Sequence, residues 1–356
     1  MSRTKKRRRV RLKLTRRGKI QLVVIFLAIL IISGIAAFYS ATHHERIEIA
    51  NYEHNARFEH YLKVTGIDVS YVQGDIDWKK VKNSGVDFAF VRAGFRDTDE
   101  GKLYTDDYFK KNIKRAKREG LMVGVYFFSQ ATTKAEAKAE AEYVLELVDK
   151  YELTLPIVFD YEEYGDGRLA KAIAAGKLTP NKIFNLCRAF TTTVEAAGYE
   201  SCVYGNYNML NNTSDGQYLS KFTNIWIAQY NYKTEFSGDY RFWQCTDSQT
   251  VPGIEGPVDL DFMYLDPSGV WETTCKNTRE RTSITDCTIK IKGNKHRYLG
   301  HAVEPKVKVS KGLIGPKKGR DYTVSYIMNT SPGTGYAVIT GIGKYKDTIV
   351  EPFEIT

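Results

Sequence analysis

The sequence predicts an α/β chain with three structured parts: a distorted TIM-like barrel over residues 61–264, a small all-β sandwich over 284–356, and one transmembrane helix at 20–42. Three observations carry this. From Tyr61 to Gly198, short apolar runs alternate with helical patterns, as in a parallel sheet covered by helices. After Gly198 the strands follow one another with almost no helix between them. Beyond residue 284 the apolar positions alternate with period two, between Gly, Pro and Asn. A composition of 42% hydrophobic and 26% charged residues excludes a disordered, collagenous or coiled-coil chain.

The N-terminus comes first. The formal charge is +10, yet residues 1–19 alone hold eleven Lys/Arg and no acid, which leaves 41 bases against 42 acids elsewhere. The excess is therefore a property of a basic tail, and a basic groove for nucleic acid loses its support. Residues 20–42 carry no formal charge and include the aliphatic run LVVIFLAILII. That length suits a bilayer span, and the basic flank assigns residues 1–19 to the cytoplasm and the C-terminal domains to the outside of the cell membrane. A cleaved signal peptide, which would leave a secreted protein, is the competing reading. Its hydrophobic region is normally shorter and ends in a small-x-small site, which Ala37-Phe38-Tyr39-Ser40-Ala41 supplies poorly.

Residues 43–60 are polar with scattered apolar positions and read as a stalk. The barrel follows, with strands expected at 63–69, 86–93, 121–129, 155–161, 201–204, 225–230, 241–245 and 258–264. Between them, Asp106 or Asp107 can cap a helix bearing Phe109, Ile113 and Ala116 and ended by Gly120. A second helix runs from about Thr133 to Lys150. A third starts at Thr179-Pro180, with Pro at the first helical position, carries Ile183, Leu186, Cys187, Phe190 and Val194, and closes at Gly198. Residues 265–283 have no sustained period and read as a linker. In 284–356, twelve bases face six acids, and Tyr322, Val324, Tyr326 and Tyr336, Val338, Thr340 alternate.

The five cysteines, at 187, 202, 245, 275 and 287, form no CxxC pair or Cys/His cluster, so no metal site and no cofactor is expected. Cys187 falls on an apolar helix face, where a small buried hydrophobe is the expected role. Cys275 and Cys287 flank a boundary and are close enough in sequence for a bridge.

In barrels of this kind the chemistry sits at the C-terminal ends of strands. Three such ends deliver carboxylates: Asp68 after the first strand, Asp160 and Glu162 after the fourth, and Asp259 and Asp261 on the last. Residues i and i+2 of a strand share a face, so Asp160 and Glu162 point the same way. Two carboxyls confined together cannot both ionise cheaply, and one keeps a proton near neutral pH. Glycoside cleavage needs that pairing, an acid for the leaving oxygen and a carboxylate opposite. Each acid alone has a bland reading as a helix cap, a salt bridge or a solvated turn. Together at one rim they favour a site.

The segments Gly66-Ile67-Asp68-Val69-Ser70 with Gln73-Gly74, Asp160-Tyr161-Glu162, Trp226-Ile227-Ala228-Gln229-Tyr230, Trp243-Gln244 and Val258-Asp259-Leu260 resemble, in order, the glycoside hydrolase family 25 muramidases. The resemblance implies a barrel of five β/α units plus three strands, and hydrolysis without metal of the β-1,4 bond between N-acetylmuramic acid and N-acetylglucosamine in peptidoglycan glycan strands. It implies Glu162 as general acid and Asp160 as its partner at the 2-acetamido group or transition state. Asp68 and Asp259 are implied as flanking carboxylates. Tyr126, Tyr161, Tyr204, Tyr230 and Trp243 are expected as aromatic walls for sugar rings, with core packing the alternative for each. The sequence departs from the family pattern at Arg92-Ala93-Gly94-Phe95-Arg96, where many members carry a Thr-Glu-Gly, and at Tyr126-Phe127-Phe128, where Tyr-His-Phe is frequent. The C-terminal segment resembles bacterial Ig-like repeats. An inactive wall-binding protein and a glycosidase acting on another β-1,4 glycan such as chitin are the alternatives. Retention of the four acids argues against the first, and the second shares the mechanism.

Overall fold

Eight strands close a barrel: β1 (Leu62–Val69), β2 (Phe88–Arg96), β4 (Met122–Ser129), β5 (Ile157–Tyr161), β6 (Ser201–Asn206), β7 (Asn224–Ala228), β8 (Phe242–Gln249) and β9 (Val258–Leu265), with the short β3 (Leu103–Thr105) added to β2. The computed structural model describes residues 17, 21, 23–33, 45–268, 270–271, 281–293, 295–312 and 315–356. Pairing is parallel from β1 round to β8, and β9 closes the barrel antiparallel to both β8 and β1. Helices Trp78–Ser84, Phe109–Arg118, Lys134–Val148, Pro180–Ala196 and the short Gly216–Leu219 each lie between parallel strands, and β7, β8 and β9 follow with none. The expected layout of five β/α units plus three strands is therefore present. Thr133 caps its helix through a reciprocal capping box with Glu136, and Pro180 opens the next helix after Thr179.

Strand alternation sorts side chains into two cores. Ala89, Val91, Val123, Val125, Ile157, Phe159, Ile225 and Ile227 face the helices. Their neighbours Phe88, Phe90, Met122, Val158, Cys202, Trp226, Phe242 and Met263 fill the barrel interior. Gly66 and Gly124 face inward, where a Cβ would come within 2.3 Å of the Phe88 ring and 2.4 Å of the Phe90 ring. Those glycines make room for the two phenyl groups that fill the lower barrel.

Residues 281–356, joined by β10 (Val270–Trp271), form an all-β module. Its largest sheet comprises β10, β18 (Thr348–Ile355), β16 (Gly333–Gly341) and β15 (Tyr322–Ile327), with β13 (Lys295–His296) on β18. Two further ladders pair β12 (Thr288–Ile291) with β14 (Val307–Ser310), and β11 (Thr282–Ser283) with β17 (Tyr345–Lys346). The expected linker thus begins inside structure, since residue 265 ends β9 and residues 270–271 pair with β18. Residues 272–280, with Cys275, lie outside the described residues. Among the described residues no cysteines are bridged: Cys187, Cys202 and Cys245 are buried, and Cys287 is half-buried.

The module seals the barrel end opposite the strand C-termini. Ile327, Val338 and Val350 join the interior core. Lys82 Nζ bonds Asp87 Oδ1 at 2.6 Å and donates to the Tyr326 carbonyl at 2.8 Å, while Asp87 Oδ2 accepts the Met328 N–H at 2.8 Å. The expected stalk is not free either. Ile47 N donates to the Ser84 carbonyl, and Tyr52 and Phe58 pack on the barrel because the apolar positions scattered through this segment find hydrophobic partners there.

Residues 1–44 form a separate unit. Within it residues 23–33 are helical and exposed. Among the described residues no helix is long and apolar enough to cross a membrane. Residues 20, 22 and 34–42 of the expected span, and all but Arg17 of the basic tail, lie outside the described residues.

Candidate active site

The same alternation that puts Val64 and Val158 inside the barrel puts Asp68 and Asp160 inside it, at the upper ends of β1 and β5. Asp259 and Asp261 share a face of β9 with the inward Met263, and β9 pairs Asp259 with Asp68. Glu162 follows one dipeptide step beyond Asp160. Asp68, Asp160, Glu162 and Asp259 line one open cleft of about 180 Å³ with Tyr126, Tyr204, Trp226, Tyr230 and Gln244. A larger hollow of about 470 Å³ between the barrel and the β-module has mixed charge and none of these acids.

A directed hydrogen-bond chain orders the cleft. Tyr204 and Tyr230 donate their hydroxyls to Gln244 Oε1 at 2.8 and 2.9 Å, and Gln244 Nε2 donates to Asp68 Oδ2 at 2.7 Å. Two phenols on the amide oxygen fix which way Gln244 points, so its NH₂ is committed to Asp68. Trp226 Nε1 donates to Asp261 Oδ1 at 2.9 Å. Asp160 Oδ1 is buried without a donor among the described residues, an acceptor left open at the cleft.

Charge follows from burial. Desolvation first, then Asp259, raises Glu162 to about 7. Desolvation raises Asp259 to about 6. Asp160 is pushed well above the usual carboxylate range by burial and then by Glu162, with the Arg92 guanidinium pulling it back down. Asp68 rises through burial, Asp259 and Asp261, opposed by the Gln244 amide. The cleft therefore holds more carboxyls than it can ionise, and some remain protonated near neutral pH.

The structure brings together seven of the nine expected residues: Asp68, Asp160, Glu162, Asp259, Tyr126, Tyr204 and Tyr230. It does not bring Tyr161 or Trp243. Tyr161 sits one residue out of phase with Asp160, so it faces the helices, stacks on Phe159 and donates to the Ala131 carbonyl. Trp243 likewise alternates with the inward Phe242 and packs against Tyr52 and Phe262 outside the barrel. The residues missed are Trp226 and Gln244. Both stand inside the quoted motifs, and counting by twos from Ala228 and Phe242 marks both as inward. Asp261, named with Asp259 among the strand-end acids, is buried in the barrel and does not line the cleft.

The departure at Arg92–Arg96 is also ordered. Arg92 bonds Asp106 Oδ2 at 2.8 Å beneath the rings of Tyr71 and Phe95, and Arg96 bonds Glu140 at 2.6 Å behind the sheet. Among the described residues no group of three or more His, Cys, Asp or Glu is arranged to hold a metal ion.

Comparison with known proteins gives a family match, described as Glycosyl hydrolases family 25, over residues 67–254, more than half of the chain. YegX of Escherichia coli strain K12 is 30% identical over 208 residues, 56% of this chain and 68% of that protein. An autolytic lysozyme of Clostridium acetobutylicum is 29% identical over 197 residues, 55% of this chain and 54% of its own, so the chain spans about half of that relative. The crystal structure of the spore cortex lytic enzyme SleM of Clostridium perfringens aligns with a TM-score of 0.51 at 17% identity, covering 82% of this chain and 98% of that one. That likeness concerns the fold alone, and it extends past the barrel.

Proposed function

The chain belongs to the glycosyl hydrolases of family 25, and from that premise we propose that it cleaves the β-1,4 bond between N-acetylmuramic acid and N-acetylglucosamine in peptidoglycan. The observation that carries this reading is the confinement of Glu162 with Asp160, Asp68 and Asp259 in one cleft whose walls are Tyr126, Tyr204, Trp226 and Tyr230. In this account Glu162, held protonated by its surroundings, gives its proton to the leaving glycosidic oxygen. Asp160 offers its open Oδ1 to the 2-acetamido N–H and its charge to the oxocarbenium-like transition state. Asp68, held by Gln244, and Asp259 supply the remaining negative field. Tyr230, 53% exposed at the mouth, offers a face on which a sugar ring can stack.

The pH profile tests these roles. Activity requires Glu162 protonated, so kcat/KM falls about tenfold per pH unit above about 7, where Glu162 loses its proton, and declines on the acid side as the carboxylate partners, Asp160 and Asp259 among them, gain protons. Initial rates on suspended murein are expected to follow a bell-shaped profile with its alkaline limb near pH 7. A rate still climbing well above pH 8 would contradict the assignment.

Membrane attachment through residues 20–42, with the barrel outside the cell, is part of the same proposal and rests on the uncharged apolar run behind eleven basic residues. Removal of residues 1–42 is expected to yield a soluble, active protein, since residues 45–356 form their own unit. Retention of that shortened chain in the membrane fraction would count against the anchor. The β-module, which resembles Ig-like repeats in sequence, is proposed to brace the barrel, in keeping with the bonds that Lys82 and Asp87 make to its backbone.

A further inference from the structure

The end of β2, where the sequence departs from the family pattern, has no part in the mechanism above. Its register against β4 pairs Arg92 with Tyr126, Gly94 with Phe127 and Phe95 with Phe128, so a bulge absorbs Ala93. Regular alternation from the inward Arg92 would turn Phe95 toward the helices. The extra residue re-aims it, and Phe95 faces inward beside Phe128. Phe128 in turn stands beside Asp160 on β5. Phe95 is thus brought to the rim of the cleft, two strands from Asp160 and at the same level.

There it is the middle of a stack. β3 sets Tyr104 directly across from Phe95, and the two rings stack with centroids 5.4 Å apart and 23° between their planes. The Arg92 guanidinium lies over Phe95, 5.4 Å from its centroid, and over Tyr71, 4.9 Å from its centroid. Asp106 Oδ2 ties this together, accepting from Arg92 Nε at 2.8 Å and from the Tyr71 backbone N–H at 3.0 Å. The inner members are covered, whereas the end members are open: Tyr71 is 52% exposed and Tyr104 45%. Rings held on so fixed a base lose little freedom when a ligand lies on them.

A polymer substrate does not end in a cleft of about 180 Å³ and must cross its rim. We propose that the Tyr71–Arg92–Phe95–Tyr104 stack is a further saccharide subsite, in which rings of the glycan strand beyond the two at the cleaved bond lie on the open sides of Tyr104 and Tyr71. The C–H groups of a pyranose face suit the electron-rich face of a phenol. Where many family members carry a glutamate, this chain thus has an aromatic support. The inference rests on the muramidase reading for the identity of the strand, and adds where that strand is held outside the acid cluster.

The test uses the full chain and murein glycan oligomers of defined length. The ratio of kcat/KM for an octasaccharide to that for a tetrasaccharide is expected to fall about fivefold in Tyr104→Ala and in Tyr71→Ala, the scale of one ring contact. Tyr104→Phe should keep the ratio, since the ring and not the hydroxyl binds. The loss should lie in KM, because a contact remote from the reacting bond is made equally in the ground and transition states. A ratio unchanged in both alanine variants would overturn the proposal. So would an equal fall on both lengths, which marks a merely structural role. Calorimetry of the octasaccharide with Glu162→Gln and with Glu162→Gln/Tyr104→Ala reads binding without cleavage, and the second is expected to bind about fivefold more weakly. Equal affinities would overturn the subsite even if murein is cut. Weaker binding by the second variant, in a chain found to cut a different bond, would sink the muramidase reading and leave the subsite standing.

Discussion

Glu162→Gln is expected to lower murein turnover by about 10²–10⁴-fold while glycan binding persists, because an amide of the same shape cannot release the proton that general acid catalysis spends on the leaving oxygen. The same substitution carries an opposite sign for stability. Glu162 is raised from 4.5 to about 7 in the folded state. The fold therefore holds this proton more tightly than the unfolded chain, and loses stability as pH rises from about 4.5 toward 7. At about pH 7 the penalty is on the order of 3 kcal/mol. The neutral glutamine removes it, so the variant should melt no lower than the parent at about pH 7 and show a flatter dependence of melting on pH. A variant with wild-type turnover would remove Glu162 from the mechanism. A variant that is inactive and less stable would show that folding, not proton donation, had failed.

Lys82→Met is the substitution with the largest expected effect on stability. Lys82 and Asp87 have side chains only 3% and 4% exposed, and both also bond the backbone of the β-module. Removing the ammonium leaves the Asp87 carboxylate buried with the Met328 N–H as its remaining described partner from the module. Breaking one side of a buried pair costs about 3–5 kcal/mol, whereas replacing both sides with apolar groups costs much less. Thermal denaturation should thus show a fall of roughly 10 °C for Lys82→Met, at about 2–4 °C per kcal/mol, with much of it restored in Lys82→Met/Asp87→Leu. Murein cleavage at low temperature should survive, since the pair lies at the barrel end away from the acids. A melting point unchanged by Lys82→Met would mean that the module does not brace the barrel.

Much of this was legible because strand periodicity acts locally. The order of apolar runs gave the eight strands, and the two-residue step between Asp160 and Glu162 put both acids on one face. The same rule, applied strictly, excludes Tyr161 and Trp243, which lie an odd number of residues from inward-facing Val158 and Phe242. Their aromatic character suggested sugar stacking, but phase decides which side of the sheet a ring occupies. The Lys82–Asp87 clamp was not legible, because its other partners, Tyr326 and Met328, stand more than 240 residues away. Asp261 reads in sequence as a strand-end acid like Asp259, and only the pairing of β9 opposite Gly66 and Gln244 shows that it is buried in the barrel instead of lining the cleft.

The central claim is that the carboxyl cluster at the barrel mouth cuts murein on the muramic acid side of the glycosidic link. Digestion of purified murein, followed by mass spectrometry of the newly formed reducing ends, tests it most directly. The account predicts N-acetylmuramic acid at those ends, and their disappearance with Glu162→Gln; N-acetylglucosamine ends, or no new ends from the folded wild-type chain, would contradict it.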